Sequence, residues 1–378
     1  MRILFAPASV VYTDHLPDGE GLIAWHMASG LACRGHCVTV LTGHADLAEP
    51  ANVNVCTLPL AVANSPWAAL QRSRRISKAV REKVAAEDVD VVHWLFPQAA
   101  DTLLSPYGGG NLPFVAGPMD WPWPRAAQTG FKRALRLAAS QLKAAFRTLW
   151  LRRVDVLLIA VPGVPVPAGL NKGRRIVVPF GVDLPVAMNQ GETGSKQILV
   201  VGRLEAFKGI FDALQAFSLI ARDFPETILT FVGSGTAHAE LRREIAVKQL
   251  DGRVELIPHL DHASIPAALA KASVVVCASH GEPFGMSVLE AMASATPVIA
   301  TAAGGPKELV ADGVSGYLFD VGDSRSLSLR LSQLLSDQDL RSRMGLAARG
   351  IAARKYSWDV VLSQLEAAYE VAISEHRR

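Results

Sequence analysis

Short apolar runs alternate with longer amphipathic stretches along most of the chain. Runs such as Arg2–Ala6, Val89–Phe96 and Val274–Ala278 are rich in Val, Ile and Leu without strict alternation, which is typical of strands covered on both faces of a parallel sheet. Stretches such as Leu22–Arg34 and Phe211–Arg222 have helical spacing. The repeated order of strand and helix predicts an α/β protein with parallel sheets.

Further elements follow the same two patterns. The other predicted strands are Cys37–Leu41, Val53–Leu58, Phe114–Ala116, Val156–Ala160, Arg175–Val178, Ile198–Val201, Thr227–Val232, Arg253–Ile257 and Pro297–Ala300, and the other predicted helices are Trp67–Ala86 and Ile265–Lys271.

A polar, glycine-containing stretch at 185–196 interrupts this alternation and predicts a linker. We therefore expect one domain over 1–184, a second over 197–357, and a last helix over 358–378 that crosses back to the first domain. Two Rossmann-like parallel-sheet domains would face a central cleft. Ligands of such sheets bind at the carboxyl ends of the strands, so this cleft is the expected site.

Composition excludes two other classes of protein. Half of the 378 residues are apolar and the net charge is +3, which excludes intrinsic disorder. The mean hydropathy of +0.23 is high, yet no apolar run reaches the roughly 18 residues of a membrane span. We expect a cytoplasmic protein without a secretory leader.

The charge is unevenly distributed. Residues 131–153 hold seven Lys and Arg, no acid, and interleaved aromatic side chains. Two interpretations are open: a peripheral contact with anionic lipid at the inner face of the cell membrane, or an ordinary surface helix packed on the first sheet.

The four cysteines form no CxxC pair, so we expect no structural zinc and interpret them as buried free thiols.

Loops after predicted strands carry the candidate chemistry. The strand Ile198–Val201 is followed by Arg203, Lys208 and the start of a helix. Two cations beside a helix N-terminus would favour binding of a diphosphate; the alternative is that they are ordinary surface charges. Gly233 follows a second strand, where a ligand approach or a plain tight turn would require it. Gly19 and Gly21 open the first long helix.

The most informative segment is 279–292. Glu282 lies on a loop after Val274–Ala278, and Glu290 lies about one turn inside a helix that begins near Met286. Carboxylates accept hydrogen bonds from sugar or ribose hydroxyls, although a loop charge and a dipole-favoured helix acid are the simpler interpretations. Gly304 and Gly305 follow the next strand and suggest a pocket wall made of backbone.

Taken in order, these segments resemble the retaining glycosyltransferases of glycosyltransferase family 4, which have the GT-B fold. The strongest match is the Glu-x7-Glu pattern from Glu282 to Glu290, flanked by the segments Val201–Gly209, Val232–Gly235, Ala302–Phe319 and Arg354–Trp358. The likeness covers residues 196–378 without a break and is looser before them.

The resemblance implies a role for each matching position. Arg203 and Lys208 would hold the donor diphosphate and stabilise the leaving group, and Glu290 would accept the ribose hydroxyls. Glu282 would bind the sugar hydroxyls together with the segment that follows it. The other positions that the resemblance assigns to donor binding are Gly19, Gly21, Gly233, His259, Leu260, Phe284, Gly285, Met286, Ser287 and Val288. Among these, His259 and Leu260 would lie beside the nucleobase.

One departure from the family affects the catalytic group. The family usually has a His after the strand that corresponds to Phe114–Ala116, whereas Met119 and Asp120 stand there in this chain. Asp120 is therefore a candidate polar group at the reacting sugar. The alternative is a proline-rich loop, with Trp121 and Trp123 contacting the acceptor or simply buried.

The function that the resemblance implies is transfer of a hexosyl unit from a UDP- or GDP-sugar to a glycan, lipid-linked or small-molecule acceptor in polysaccharide or glycoconjugate biosynthesis. No Asp-x-Asp metal site accompanies these loops, so we expect no metal and no cofactor besides the nucleotide-sugar substrate. No nucleic-acid partner is expected. A sugar phosphorylase or nucleotide-sugar epimerase of the same fold is the alternative, followed by a non-catalytic binding module.

Overall fold

The computed structural model describes residues 1–7, 9, 11–14, 19–48, 52–58, 66–97, 105–107, 110–120, 151, 153–165, 175–186, 188 and 196–377. They divide into two units, one formed by 1–119, 127–181 and 358–378 and the other by 120–126 and 182–357. The division between Gly181 and Val182 falls three residues before the expected domain boundary.

The first unit is built around a parallel sheet. Its elements are β1 (Arg2–Phe5), β2 (Val11–Thr13), α1 (Gly19–Cys33), β3 (Cys37–Thr42), β4 (His44–Asp46), β5 (Asn54–Thr57), α2 (Pro66–Ala86), β6 (Val91–Trp94), β7 (Phe114–Met119), β8 (Val156–Ile159) and β9 (Arg175–Val177). The strand order is β5-β3-β1-β6-β7-β8-β9, and β2 pairs separately with β4.

The second unit repeats this arrangement. Its elements are β10 (Gln197–Val201), α3 (Ile210–Ile220), β11 (Ile228–Val232), α4 (His238–Val247), β12 (Val254–Ile257), α5 (Ile265–Lys271), β13 (Val274–Cys277), α6 (Met286–Ala293), β14 (Val298–Thr301), α7 (Pro306–Leu309), β15 (Gly316–Phe319), α8 (Ser324–Ser336) and α9 (Gln338–Tyr356), with short 3-10 turns at Ala206–Lys208 and His262–Ser264. The order β12-β11-β10-β13-β14-β15 is that of a doubly wound Rossmann sheet.

The predicted strands are all present, and most ends differ by one or two residues. Their apolar runs became strands because helices cover both sheet faces, and the central strands β10, β13 and β14 are almost wholly buried. Three strands were not predicted: β2, β4 and β15. β2 (VYT) and β4 (HAD) include polar residues, and β15 begins with a glycine, so none of the three forms a continuous apolar run.

A last helix, α10 (Trp358–His376), belongs to the first unit and packs on α1. Trp358 stacks on His26 with 4.7 Å between ring centroids. Arg34 donates a 2.8 Å hydrogen bond to Glu366. Gly30 allows the close approach, since a Cβ there would lie 2.5 Å from Leu362. Across the described residues, no helix is both long and apolar enough to span a membrane.

The buried side chain of His93 links α10 to the sheet. Its Nε2 lies 2.9 Å from the Gly117 carbonyl, which only accepts, so Nε2 carries the proton. Nδ1 therefore accepts the 2.7 Å hydrogen bond from the Tyr369 hydroxyl. Burial lowers the pKa of His93 to about 3, so the ring stays neutral at neutral pH.

We expect Tyr369→Phe to destabilise the first unit by about 1–3 kcal/mol, because it leaves His93 Nδ1 buried without a donor. Trp25, Trp67, Trp94 and Trp358 lie in the first unit and no tryptophan lies within 182–357, so tryptophan fluorescence during urea unfolding follows mainly the first unit. Tyr12→Phe is the matched control, because Tyr12 is equally buried and its hydroxyl lies beside the Ser29 hydroxyl rather than a histidine nitrogen. Equal losses in the two variants would contradict this assignment.

Candidate active site

The predicted donor loops meet at one place in the second sheet. Strands β10 and β13 are neighbours there, and the chain leaves them in opposite directions, toward β11 on one side and β14 on the other. Ligands of doubly wound sheets bind at the carboxyl ends of strands at such a switch point. The loop 202–209 follows β10, and the loop 278–285 follows β13.

The side chains of Lys208 and Glu282 form an ion pair across these two loops. Lys208 Nζ lies 2.6 Å from Glu282 Oε2, and the exposed fractions of the two side chains are 17% and 13%. Gly209 next to Lys208 has a φ of +68°, and a Cβ there would lie 1.8 Å from the Ala278 carbonyl. The two loops therefore touch through their main chains, which only glycine permits.

Gly285 begins helix α6 and is in a left-handed conformation with a φ of +101°. Gly209 begins α3 in the same way, and no side chain caps either helix. The amide groups at both helix starts thus lie directly after the loops that carry Lys208 and Glu282. Such helix starts favour negatively charged or hydroxyl-bearing ligands.

The wall beside Glu282 is made of backbone. The amide of Gly305 donates a 2.9 Å hydrogen bond to the Glu282 carbonyl. A Cβ on Gly304 would lie 2.1 Å from that same carbonyl, and one on Gly305 would lie 2.1 Å from the Phe284 carbonyl. The two glycines let the loop after β14 lie directly against the loop after β13.

Glu290 lies on the second turn of α6, as predicted. Burial raises the pKa of its carboxyl to about 7. No hydrogen bond or ion pair joins this carboxyl to another group in the described part of the chain. It is therefore an acceptor that a ligand could use.

Arg203 and Gly233 lie on adjacent loops. The amide of Gly202 donates to the Val232 carbonyl at 2.9 Å, and a Cβ on Gly233 would lie 2.0 Å from the Gly202 carbonyl. The exposed Arg203 lies over the ring of Phe207, 5.7 Å from its centroid. A guanidinium, an ammonium and helix N-termini thus come from one edge of the second sheet, an arrangement suited to phosphate groups.

The buried Cys277 ends β13 close to Glu282. Burial and the Glu282 carboxylate raise the pKa of its thiol to about 12, so it stays protonated and is a poor nucleophile. The prediction that all four cysteines are buried is wrong for Cys33 and Cys37, which are exposed, and Cys56 is half-buried. Cys33 and Cys37 flank the turn between α1 and β3, where the chain reaches the surface.

Other predicted positions lie elsewhere. Gly19 and Gly21 start α1 in the first unit, and a Cβ on Gly21 would lie 2.5 Å from the Val11 carbonyl. His259 follows β12, is 62% exposed and lies 3.6 Å from Asp261, with Leu260 beside it. Asp120 directly follows β7. The positions Trp121 and Trp123, and 131–153 except 151 and 153, lie outside the described residues.

Among the described residues, the predicted site residues belong neither to a metal-binding cluster nor to a large cavity beside β15 and α8. No group of three or more His, Cys, Asp or Glu side chains suited to a metal occurs in the described ranges. Asp88 and Asp90 have Asp-x-Asp spacing, but both pair with Arg2. A cavity of about 820 Å³ beside β15 and α8 contains none of the predicted site residues.

Two contacting residues were missed by the sequence analysis. Asp212 and His280 lie 68 positions apart and pair across the two donor loops. Their spacing carries no periodic signal, and only the adjacency of β10 and β13 brings them together.

Comparison with known proteins agrees with this geometry. The family model of glycosyl transferases group 1 matches residues 188–350. A glycogen synthase of Mycobacterium tuberculosis is 28% identical over 98% of this chain and 95% of its own length. A phosphatidyl-myo-inositol mannosyltransferase of Mycobacterium leprae is 29% identical over 95% of this chain and 94% of its own.

Solved structures show the same fold. Sucrose-phosphate synthase of Thermosynechococcus elongatus superposes with a TM-score of 0.74 at 20% identity, covering 98% of both chains. Anabaena HepE in complex with UDP superposes with a TM-score of 0.73 at 21% identity, covering 97% of this chain and 99% of its own. The two Rossmann-like units therefore form a GT-B fold. The chain is a glycosyltransferase.

Proposed function

We propose that this chain is a retaining glycosyltransferase of family 4 that moves a hexosyl unit from a nucleoside diphosphate sugar to a hydroxyl of a glycan, a lipid-linked or a small-molecule acceptor. The proposed pathway is the synthesis of cell-surface polysaccharide or another glycoconjugate, carried out in the cytoplasm. The donor is a UDP- or GDP-sugar. Relatives named for glycogen synthesis and for mannosyl transfer to phosphatidyl-myo-inositol support this range of acceptors.

The observation that carries the proposal is the Lys208–Glu282 pair at the switch point. Glu290 lies close by in sequence, on the second turn of the helix α6 that follows the Glu282 loop. In the proposed complex the diphosphate lies at Arg203, Lys208 and the start of α3. Glu290 accepts the ribose hydroxyls. Glu282 accepts hydroxyls of the sugar, and the amides from Phe284 to Val288 donate to them. A lysine and a carboxylate held within 2.6 Å would then contact the two halves of one ligand.

Bond cleavage requires that negative charge on the leaving diphosphate be stabilised. The proposal assigns this to Arg203, Lys208 and the helix N-termini, in place of a divalent cation. The bond between the anomeric carbon and the diphosphate oxygen breaks, and the acceptor oxygen attacks the same face of the sugar while its proton passes to the departing phosphate. Asp120, at the end of β7, is the proposed polar group beside the reacting sugar.

A ligand panel tests the proposal. Because a ligand that binds only the folded state raises its apparent stability, the true nucleotide should stand out in thermal shift among UDP, GDP and ADP and their glucose and mannose derivatives. We expect the best compound also to bind in calorimetry, and its binding and turnover to persist in EDTA. Formation of a sugar isomer from donor alone would favour an epimerase, and binding of none of the compounds would refute the proposal.

We also propose that the segment 131–153 contacts an anionic membrane surface. The support is its sequence, seven cations without an acid and with Phe and Trp side chains between them. We expect co-sedimentation with vesicles containing phosphatidylglycerol at low salt, and its loss at high salt. Neutral phosphatidylcholine vesicles are the control, and equal binding to both, or to neither, would contradict the contact.

A further inference from the structure

Asp212 and His280 join the two loops that carry Lys208 and Glu282. Asp212 lies in the first turn of α3, four residues after Lys208, and His280 lies two residues before Glu282. His280 Nε2 is 2.6 Å from Asp212 Oδ2, and the exposed fractions of the two side chains are 40% and 22%. The pair thus bridges the same two loops as the Lys208–Glu282 pair.

Main-chain contacts reinforce this bridge. The amide of His280 donates a 2.8 Å hydrogen bond to the Phe207 carbonyl. The Ser279 hydroxyl lies 3.5 Å from that carbonyl as well. On the other side of Lys208, Gly209 approaches the Ala278 carbonyl. Both chain neighbours of Lys208, Phe207 and Gly209, are therefore held by the loop that carries Glu282.

A lysine side chain is long and loses rotamer freedom when it binds a ligand. Its ammonium contacts a diphosphate at low entropic cost only if its main chain is already in place. Lys208 is the last residue of a single 3-10 turn, Ala206–Lys208, which contains no buried residue to anchor it. The anchoring of this turn must therefore come from contacts with its surroundings, and Asp212 and His280 lie there.

We propose that Asp212 and His280 are positioning residues for the nucleoside diphosphate. Their side-chain pair locks the 203–211 segment to the 279–285 segment, so that Lys208 and Glu282 are preorganised for the ligand. The pair acts through these two residues rather than by contact with the diphosphate. The inference rests on the proposed function, because it assumes that Lys208 binds a diphosphate.

Four variants test the proposal: Asp212→Ala, His280→Ala, the double variant, and His280→Gln, whose amide can still donate to Asp212. Calorimetry with UDP, GDP and ADP selects the probe that the unaltered protein binds. We expect each alanine variant to raise the Kd of that probe on the order of tenfold. The double variant should be no worse than either single variant, and His280→Gln should recover most of the affinity.

A second measurement needs no ligand. Amide hydrogen exchange over 203–211 and 279–285 should be faster in both alanine variants than in the unaltered protein. Glu226→Gln is the matched control, because it breaks the Lys196–Glu226 ion pair elsewhere in the same unit and should change neither affinity nor exchange in these segments.

The outcomes separate the two proposals. If the unaltered protein binds none of the three nucleotides, the proposed function fails, and hydrogen exchange alone decides whether the pair holds the loops. Unchanged exchange overturns the positioning role. So does a double variant whose loss of affinity equals the product of the single losses, since the two side chains would then act independently.

Discussion

Lys208→Ala is expected to lower glycosyl transfer by roughly 100- to 1,000-fold, the loss typical of removing one preorganised group that stabilises a developing negative charge. Lys208 Nζ lies 2.6 Å from Glu282, so the substitution also leaves that carboxylate without its cation. An unneutralised carboxylate would repel the diphosphate. Release of nucleoside diphosphate from the donor selected by the ligand panel, with and without acceptor, measures the effect.

Lys196→Ala provides the comparison for this prediction. Lys196 also pairs with a glutamate in the second unit, but both side chains of that pair are about half exposed or more. Exposed pairs contribute little, so its removal should leave transfer within about twofold and the melting temperature nearly unchanged. Similar losses in Lys208→Ala and Lys196→Ala would exclude a specific role for Lys208.

Glu290→Gln is expected to weaken nucleotide binding at least about tenfold, and Glu290→Ala to abolish transfer, because the proposed ribose acceptor is lost. Burial raises the pKa of Glu290 to about 7, and ribose hydroxyls donate best to a carboxylate. Binding should therefore release a proton near neutral pH, and affinity should rise as the pH rises through about 7. Calorimetry in buffers of different ionisation enthalpy measures the released proton.

The same carboxyl affects stability in the absence of ligand. Its folded-state pKa of about 7 exceeds the ordinary value of 4.5, so the folded protein holds more protons between these values. The contribution of Glu290 to stability is thus present below pH 4.5 and is lost as the pH rises through about 7. Glu290→Gln should remove this loss, whereas Glu370→Gln, at an exposed site on α10, should not. An unaltered proton release in Glu290→Gln would contradict the assignment.

Local patterns in the sequence predicted much of the fold. The Val- and Ile-rich runs at β10 and β13 identify strands, because a strand that is buried on both faces is apolar at nearly every position. Glu290 was correctly placed on the second turn of α6 because Gly285 and the apolar residues after it mark a helix start. In contrast, β15 begins with a glycine, a residue depleted in strands, and its place at the sheet edge depends on β14.

The contacts within the candidate site could not be predicted in the same way. Lys208 and Glu282 are 74 positions apart, and the sequence assigned them to different parts of a ligand rather than to each other. The proton position on His93 depends on Tyr369, 276 positions away. Such contacts depend on which strands are neighbours, which single-sequence patterns do not specify.

The first unit combines N-terminal segments of the chain with its C-terminal helix, and this affects the order in which the protein is completed during synthesis. Its sheet is complete once residue 177 has been synthesised, but α10, with the buried Tyr369, arrives only after the whole second unit has left the ribosome. Domains usually fold as they emerge, N-terminal first. Here the second unit has all its strands before the first acquires its last helix, so the order of completion is reversed. Until then the α1 surface around Gly30, which α10 covers in the finished protein, stays uncovered.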